Sequence, residues 1–256
     1  MRLTVIGCAG SYPGPDSPAS CYLLEAEGPD GSGGTRTWKV LLDLGSGALG
    51  PLQRHLDPVE LDGIVLSHLH ADHCLDLCGL YVLRKYHPDG AQPRIPVWGP
   101  QHTARRMAKA YDLDEDPGMN EEFDFRTHPD DHTFGPFTIT ARQVAHPVPA
   151  YGLRIEADGK VLAYSGDTGP CDALVATARD ADLFLCEASF VEGGDNPPDL
   201  HLTGAQAGRA AKEAAARSLL LTHVPAWHDR EVALDEARTS YDGEVALAEP
   251  ERSYEL

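Results

Sequence analysis

Residues 67 to 73 read SHLHADH, a run that brings three histidines and an aspartate together directly after the apolar segment LDGIVL. The chain has 12 histidines, so a window of six residues should hold about 0.3 by composition, whereas residues 68 to 73 hold three. Imidazole nitrogens beside a carboxylate suit zinc or a similar divalent ion. Because alternate residues leaving a strand can point at a common centre, the run predicts a metal site at a strand end.

Three further candidate ligands also follow predicted strands: His146 after TITARQVA, Asp167 after VLAYSG and His223 after SLLLT. Taken alone, each is more typical of a loop or capping residue, but together with the histidine run they form a set. One metal could take His68, His70 and His146, and the other Asp72, His73 and His223, with Asp167 bridging the two. Such a set leaves coordination positions open for water, which is typical of catalytic rather than structural sites.

Apolar segments of strand length alternate with amphipathic helical segments in both halves of the chain. Because apolar strands need cover on both faces, the pattern predicts sheets sandwiched between helices. No repeat or interdomain linker is evident, so residues 1–256 are expected to form a single domain. The predicted strands are MRLTVIG, CYLLEAE, WKVLLDLG, LDGIVLSH, IPVWG, EFDFRTH, PFTITARQVAH, YGLRIEA, KVLAYSGD, DLFLCEAS, SLLLTHV and EVALAEP, and the predicted helices include CLDLCGLYVLRKY, HTARRMAKAYDL, ALVATARDA, TGAQAGRAAKEAAARS and REVALDEARTS.

Composition narrows the class of protein. No segment approaches the ~20 apolar residues that cross a bilayer, and the first residues lack the pattern of a signal peptide, so a cytoplasmic protein without a membrane partner is expected. The six cysteines lie inside apolar segments and are expected to be reduced and mostly buried. A net charge of -19 repels polyanions, which disfavours a large RNA substrate.

The order of five motifs resembles that of the metallo-β-lactamase superfamily: Asp43, SHLHADH, His146, SGDTG with Asp167, and THV with His223. The resemblance spans nearly the whole chain and implies an α/β fold, the four-layer αβ/βα sandwich with two mixed β-sheets flanked by helices. It also implies two divalent metal ions at the edge of the sandwich, with zinc favoured and manganese or iron as alternatives. Asp43 would support the metal ligands through hydrogen bonds, although a role as a turn or helix cap is equally compatible with its position.

A narrower resemblance is to the ribonuclease Z-like branch, carried by VAHPVPAYGLRI, LFLCEASF and HLTGAQAGRAA. In that branch a glutamate and a histidine near the metals form a relay, and Glu187 and His201 occupy those positions. The alternative is that Glu187 caps a strand end and His201 opens the helix that Thr203 caps. Only 20 residues separate His146 from Asp167, so the arm with which ribonuclease Z binds tRNA is expected to be missing, and tRNA is not expected as a partner.

The sequence therefore predicts a binuclear metal-dependent hydrolase, a phosphodiesterase acting on a small or single-stranded phosphodiester. A hydroxide bridging the metals is the expected nucleophile. The expected catalytic residues are Asp72, Glu187 and His201, with His201 protonating the leaving group. Two alternatives stay open: a carboxylic ester, thioester or lactone hydrolase on the same metal site, and a non-catalytic metal-containing carrier. A homodimer is compatible with this fold group, although no interface signature is visible. Six other histidines match no ligand position and are interpreted as surface or structural residues: His55, His87, His102, His128, His132 and His228.

Overall fold

The computed structural model describes all 256 residues, which form two seven-stranded β-sheets that face each other, a short two-stranded sheet, and helices on the outer faces. The strands, in chain order, are β1 (Arg2–Gly7), β2 (Ala9–Gly10), β3 (Cys21–Pro29), β4 (Thr35–Leu42), β5 (Gly63–Val65), β6 (Ile95–Gly99), β7 (Phe123–Thr127), β8 (Asp131–Phe134), β9 (Phe137–Gln143), β10 (Tyr151–Ala157), β11 (Lys160–Tyr164), β12 (Leu183–Glu187), β13 (Ser218–Thr222), β14 (Val224–Pro225), β15 (Glu244–Leu247) and β16 (Ser253–Glu255).

Seven helices and one 3₁₀ turn at Pro58–Glu60 complete the fold. No helix is both long enough and apolar enough to span a lipid bilayer. The helices are α1 (Leu49–Leu52), α2 (Ala71–Cys74), α3 (Leu77–Lys85), α4 (Thr103–Ala110), α5 (Asp172–Ala178), α6 (Gly204–Glu213) and α7 (Arg230–Arg238).

The two sheets share one pattern of strand directions. The first sheet has the order β16-β1-β3-β4-β5-β6-β7, and the second has the order β15-β13-β12-β11-β10-β9-β8. Strands from β16 to β4 pair antiparallel and those from β4 to β7 parallel. The second sheet repeats this, antiparallel from β8 to β11 and parallel from β11 to β15. Each sheet is therefore mixed, as the sequence predicted.

The core lies between the sheets, where alternate strand residues meet. Leu24 and Val40 of the first sheet and Leu153 and Leu185 of the second belong to one buried cluster, and each is at most 1% exposed. Burying a leucine side chain contributes roughly 1.5–3 kcal/mol, so this layer contributes strongly to the stability of the fold. Two further clusters lie between each sheet and its helices. The predicted sandwich of sheets between helices is thus confirmed.

One predicted element is wrong in detail. The segment CLDLCGLYVLRKY was expected to form a continuous helix, but the helical segment begins earlier, at Ala71, and is interrupted between α2 and α3. Tertiary contacts cause the break, because the Asp76 amide donates to the Leu44 carbonyl and its carboxylate accepts from the Leu49 amide at 2.8 Å. Local periodicity cannot reveal such contacts. The four-residue strand β8 and the three-residue strand β16 were also missed, since each is a short edge strand with charged residues.

Candidate metal centre

Strand ends bring the candidate residues to one edge of the sandwich. Asp43 follows β4, His68 lies shortly after β5, Asp167 after β11 and His223 after β13, while Glu187 ends β12. Because the carboxyl ends of parallel strands collect at one edge, functional groups concentrate there in layered α/β folds. His146 joins them from the loop between β9 and β10.

The first group of converging side chains consists of His68, His70, His146 and Asp167. The Nδ1 atom of His70 lies 3.0 Å from Nε2 of His68 and 3.3 Å from Nε2 of His146. One carboxylate oxygen of Asp167 is 3.6 Å from Nε2 of His68. All four donor atoms lie within 4.8 Å of one another, so they can surround one ion.

The second group consists of Asp72, His73, Asp167 and His223, and each is buried. Nε2 of His73 lies 3.1 Å from Nε2 of His223 and 3.2 Å from Oδ1 of Asp167. Oδ2 of Asp72 is 3.0 Å from Nε2 of His223. Asp167 belongs to both groups, with Oδ2 turned toward the first and Oδ1 toward the second, so its carboxylate has the position of a bridge.

The outer ring nitrogens of His73, His146 and His223 are engaged by acceptors. Nδ1 of His146 donates to the Leu200 carbonyl at 2.9 Å, and Nδ1 of His73 donates to the Asp43 carboxylate at 2.7 Å. The Ser189 hydroxyl gives its one hydrogen to the His223 carbonyl, so it accepts from Nδ1 of His223 at 2.8 Å. In each ring Nδ1 therefore carries the proton, and Nε2 presents a lone pair to the centre.

Burial keeps three of the imidazoles neutral. It lowers the pKa of His68 well below its ordinary value, and neighbouring His73 acts in the same direction. Burial also lowers the pKa of His70 and of His146, outweighing Asp167, which raises both. A neutral imidazole is the form that binds a metal.

Asp43 is the hub of the hydrogen bonds behind the ligands. Its carboxylate accepts from the Ser67 amide at 2.6 Å, the Ser67 hydroxyl at 2.8 Å and the Tyr164 hydroxyl at 2.7 Å, as well as from His73. Ser67, having given its hydrogen to Asp43, accepts from Nδ1 of His68 at 3.1 Å. Asp43 thus fixes two imidazoles from different positions of the histidine run.

The donor set fits a pair of cations. Four carboxylates are buried together, at 0–7% exposure, and their only ionic partners are histidines: Asp43, Asp72, Asp167 and Glu187. His223 and His73 outweigh burial and hold the pKa of Asp167 well below its ordinary range, yet Oδ1 of Asp167 has no hydrogen-bond donor. Buried charges without compensation cost several kcal/mol each. Nitrogen ligands on one tetrahedral zinc lie about 3.3 Å apart, close to the spacing in both groups.

A glutamate–histidine pair adjoins the second group. Nδ1 of His201 donates to Oε1 of Glu187 at 2.9 Å, and Glu187 also accepts from the backbone amides of Thr168, Ser189 and Leu202. Burial alone would lower the pKa of His201, but the Glu187 carboxylate outweighs it and raises that pKa to about 9. The Glu187 carboxylate therefore favours the charged imidazole, and the hydrogen bond that the ring makes within the protein is through Nδ1, which leaves Nε2 free.

All ten side chains assigned to the site from sequence lie at this edge: the seven candidate ligands with Asp43, Glu187 and His201. Of the six remaining histidines, His128 is half-buried and donates from Nε2 to the Leu66 carbonyl, and His132 stacks on Trp98. Both have structural positions outside the two groups.

Sequence reasoning missed the supporting residues. Tyr164 hydrogen-bonds to Asp43, and Ser189 hydrogen-bonds to His223. Leu200 contributes only its backbone carbonyl, which accepts from His146. In the sequence Tyr164 looks like any other tyrosine in a strand. A backbone carbonyl is present in every residue, so residue type cannot show that this one supports a ligand. Only Ser67 carried a signal, since it immediately precedes the first histidine of the run.

Residues 38–224 match the family described as the Beta-lactamase superfamily domain. The chain is 49% identical over 253 residues to an uncharacterized protein of Mycobacterium leprae, covering 96% of this chain and 85% of that protein. It is 32% identical over 258 residues to the Bacillus subtilis protein named "Probable metallo-hydrolase YhfI", covering 97% of each. It is 26% identical over 305 residues to a ribonuclease Z of Myxococcus xanthus, covering 97% of this chain and 95% of that protein.

Solved structures show the same fold. The crystal structure of YhfI from Bacillus subtilis superposes with a TM-score of 0.85 at 28% identity, covering 100% of this chain and 99% of that one. Human tRNase Z, short form, superposes with a TM-score of 0.76 at 21% identity, covering 100% and 99%. The second likeness concerns the fold alone.

Proposed function

Since this chain belongs to the β-lactamase superfamily, we propose that it is a hydrolase that uses two divalent metal ions to cleave a small or single-stranded phosphodiester. Its relatives by sequence include a protein named as a probable metallo-hydrolase and a ribonuclease Z. The observation that carries the phosphodiesterase assignment is the 2.9 Å hydrogen bond between Glu187 and His201 beside the two ligand groups.

His68, His70 and His146 would hold one ion, Asp72, His73 and His223 the other, and Asp167 would contribute an oxygen to each. A donor set with five imidazoles favours zinc, with manganese or iron as alternatives, over magnesium or calcium, which prefer oxygen ligands. When bound, the two ions would supply a water of lowered pKa and stabilise negative charge on the substrate. Asp72 would bind a metal ion and would also be one of the catalytic residues.

His201 would act as the general acid. Its Nδ1–H is held by Glu187, which leaves Nε2 as the nitrogen that can transfer a proton. The carboxylate keeps the imidazolium charged until transfer and holds the ring in one orientation. A leaving alkoxide needs this proton, because it is a strong base, whereas the thiolate released by a thioester does not. The pair therefore disfavours a thioester, and its resemblance to the ribonuclease Z-like relay favours a phosphodiester over a lactone.

Two features favour a small substrate over a folded tRNA. The interval between His146 and Asp167 holds only a hairpin, β10 and β11, with a tight turn at Asp158 and Gly159. The ribonuclease Z of Myxococcus xanthus needs 305 aligned residues to match 97% of this 256-residue chain, so it is longer within the aligned region. The net charge of -19 also opposes the approach of a polyanion.

The test is reconstitution. The chain would be stripped with a chelator, reloaded separately with zinc, manganese or iron, and assayed on bis-aryl and cyclic phosphodiesters, aryl sulfates, lactones and thioesters. We expect phosphodiester turnover that returns with two bound ions. His68→Ala should abolish turnover, whereas His55→Ala, an exposed histidine outside the site, should not.

Two outcomes would replace the proposal. Turnover of lactones or thioesters with none of phosphodiesters would make the protein a carboxylic ester hydrolase. Two bound ions without turnover of any ester class would favour a metal-containing carrier.

A further inference from the structure

Two aromatic side chains, Tyr12 and Trp227, form an exposed pair. Their ring centroids lie 5.0 Å apart with an interplanar angle of 32°. The Tyr12 side chain is 39% exposed and that of Trp227 is 63% exposed. Large aromatic groups usually contribute their surface to a core or an interface, so an exposed pair in contact needs a reason.

The pair is attached to the metal-facing edge through β2 and β14. Ala9 and Gly10 pair with Val224 and Pro225 directly after His223. The approach is close, because a Cβ atom on Gly10 would lie 2.1 Å from the His223 carbonyl oxygen. The next amide, that of Ser11, lies 3.4 Å from Nε2 of His223, so Tyr12 follows a residue that touches a candidate ligand.

Two tight turns present the rings. The Tyr12 amide donates to the Gly10 carbonyl at 2.8 Å around Ser11, whose φ is +65°, a conformation that a residue with a side chain adopts only under strain. The His228 amide donates to the Pro225 carbonyl at 2.9 Å, which places Trp227 in the second half of a β-turn. Four residues of chain reach at most about 14 Å, so Trp227 stays near His223.

Because β2 and β14 join the pair to His223, a substrate held at the metal-facing edge can reach both rings. Aromatic faces bind planar rings by stacking and require no particular hydrogen-bond pattern. The occupant that fits an exposed tyrosine and tryptophan beside a phosphodiester site is therefore a ring carried by the substrate.

We propose that Tyr12 and Trp227 bind a planar aromatic ring, such as a nucleobase, on the phosphodiester substrate. The inference rests on the proposed phosphodiesterase function and adds the chemical class of one substituent. The two side chains set specificity and take no part in bond cleavage.

The kinetic test uses two esters with the same leaving group, the p-nitrophenyl ester of thymidine 5′-monophosphate and methyl p-nitrophenyl phosphate. In the metal-loaded enzyme, Trp227→Leu and Tyr12→Leu should raise KM for the thymidine ester about tenfold and change KM for the methyl ester far less. Tyr86→Leu removes an aromatic side chain that is 67% exposed and lies at the end of α3, and it should change neither. Equal effects on both esters, or none, would overturn the inference.

A binding test needs no turnover. Trp227 is the exposed tryptophan, whereas Trp98 is buried and Trp38 half-buried. Titration with thymidine 5′-monophosphate should therefore quench fluorescence in the natural chain and not in Trp227→Leu. If neither ester is hydrolysed but this quenching occurs, the proposed function fails and the ring site stands. If both esters are hydrolysed and quenching is absent, the ring site fails alone.

Discussion

Oδ2 of Asp43 lies 2.7 Å from Nδ1 of His73, and both side chains are fully buried. The same oxygen accepts from Tyr164 of the second sheet. One carboxylate therefore orients an imidazole in the first sheet's loop and ties that loop to the opposite sheet. Partners of this kind fix the orientation of a ligand and increase its basicity.

Asp43→Asn should weaken metal binding by 10- to 100-fold, on the order found when such partners are removed. The amide cannot accept from all four donors, and its NH₂ group would face a donor. Competition with a chelating dye measures the affinity. Asp62→Asn is the matched control, because Asp62 is a carboxylate bonded to Arg36 at the opposite end of β5. Equal losses in the two variants would contradict a specific role for Asp43.

His201→Ala should affect substrates according to their leaving groups. For an alkyl leaving group we expect kcat/KM to fall by about 10²- to 10⁴-fold, the usual contribution of a general acid. For p-nitrophenolate, which leaves without a proton, the loss should be below about tenfold. Metal content should stay unchanged, and His87→Ala, at a histidine outside the site, should retain activity. A uniform loss on both substrates would argue against proton transfer by His201.

Gly45→Ala should damage the second ligand group through the backbone. A Cβ atom at this position would lie 1.9 Å from the Asp72 carbonyl oxygen, so the loop after β4 and helix α2 would have to separate. We expect a loss of about 1–3 kcal/mol in unfolding free energy and weaker binding of one ion. In Gly50→Ala the new atom has no neighbour within 4 Å, so that variant should be as stable as the natural chain or more so. Urea unfolding and metal titration measure both.

His128 should make the protein sensitive to acid. Burial lowers the pKa of His128 to about 4, outweighing the hydrogen bond to the Leu66 carbonyl. Above its unfolded-state pKa of about 6.5, His128 is neutral in both the folded and the unfolded state and does not change the free energy of unfolding. As pH falls from there toward 4, only the unfolded state takes up the proton, so the free energy of unfolding decreases. The loss between pH 7.5 and 5.0 amounts to about 2 kcal/mol.

His128→Gln should remove that share of the pH dependence. The measurement is urea unfolding of metal-free protein at the two pH values, with the exposed His55→Gln as control. An unchanged difference between pH 7.5 and 5.0 in His128→Gln would show that His128 is not the group responsible.

Residue type and position at strand ends were enough to select the side chains that gather at the edge. Asp167 and His223 follow apolar strands, and strands of a layered fold carry their ends to a common place. The sequence does not predict which residues of the two sheets come into contact when the sheets pack together. The contact of Tyr164 with Asp43 and the carbonyl of Leu200 behind His146 depend on distances between segments far apart in sequence.

The same limit explains the errors in the fold. Long strands in which apolar and polar residues alternate were predicted, because that alternation indicates which residues are buried. The helix break at Asp76 was missed because Leu44 and Leu49, outside the helix, cause it. Strand β16 has three residues and exists by pairing with β1, a contact with the opposite end of the chain.

Each candidate ligand group combines residues that follow strands of both sheets. His68, His70, Asp72 and His73 lie within six residues, so they come together with almost no loop to close. His146, Asp167 and His223 arrive only when the second sheet has been synthesised and docked. Both candidate coordination shells therefore require the two sheets to be docked, and a chain that ended before β13 would lack His223.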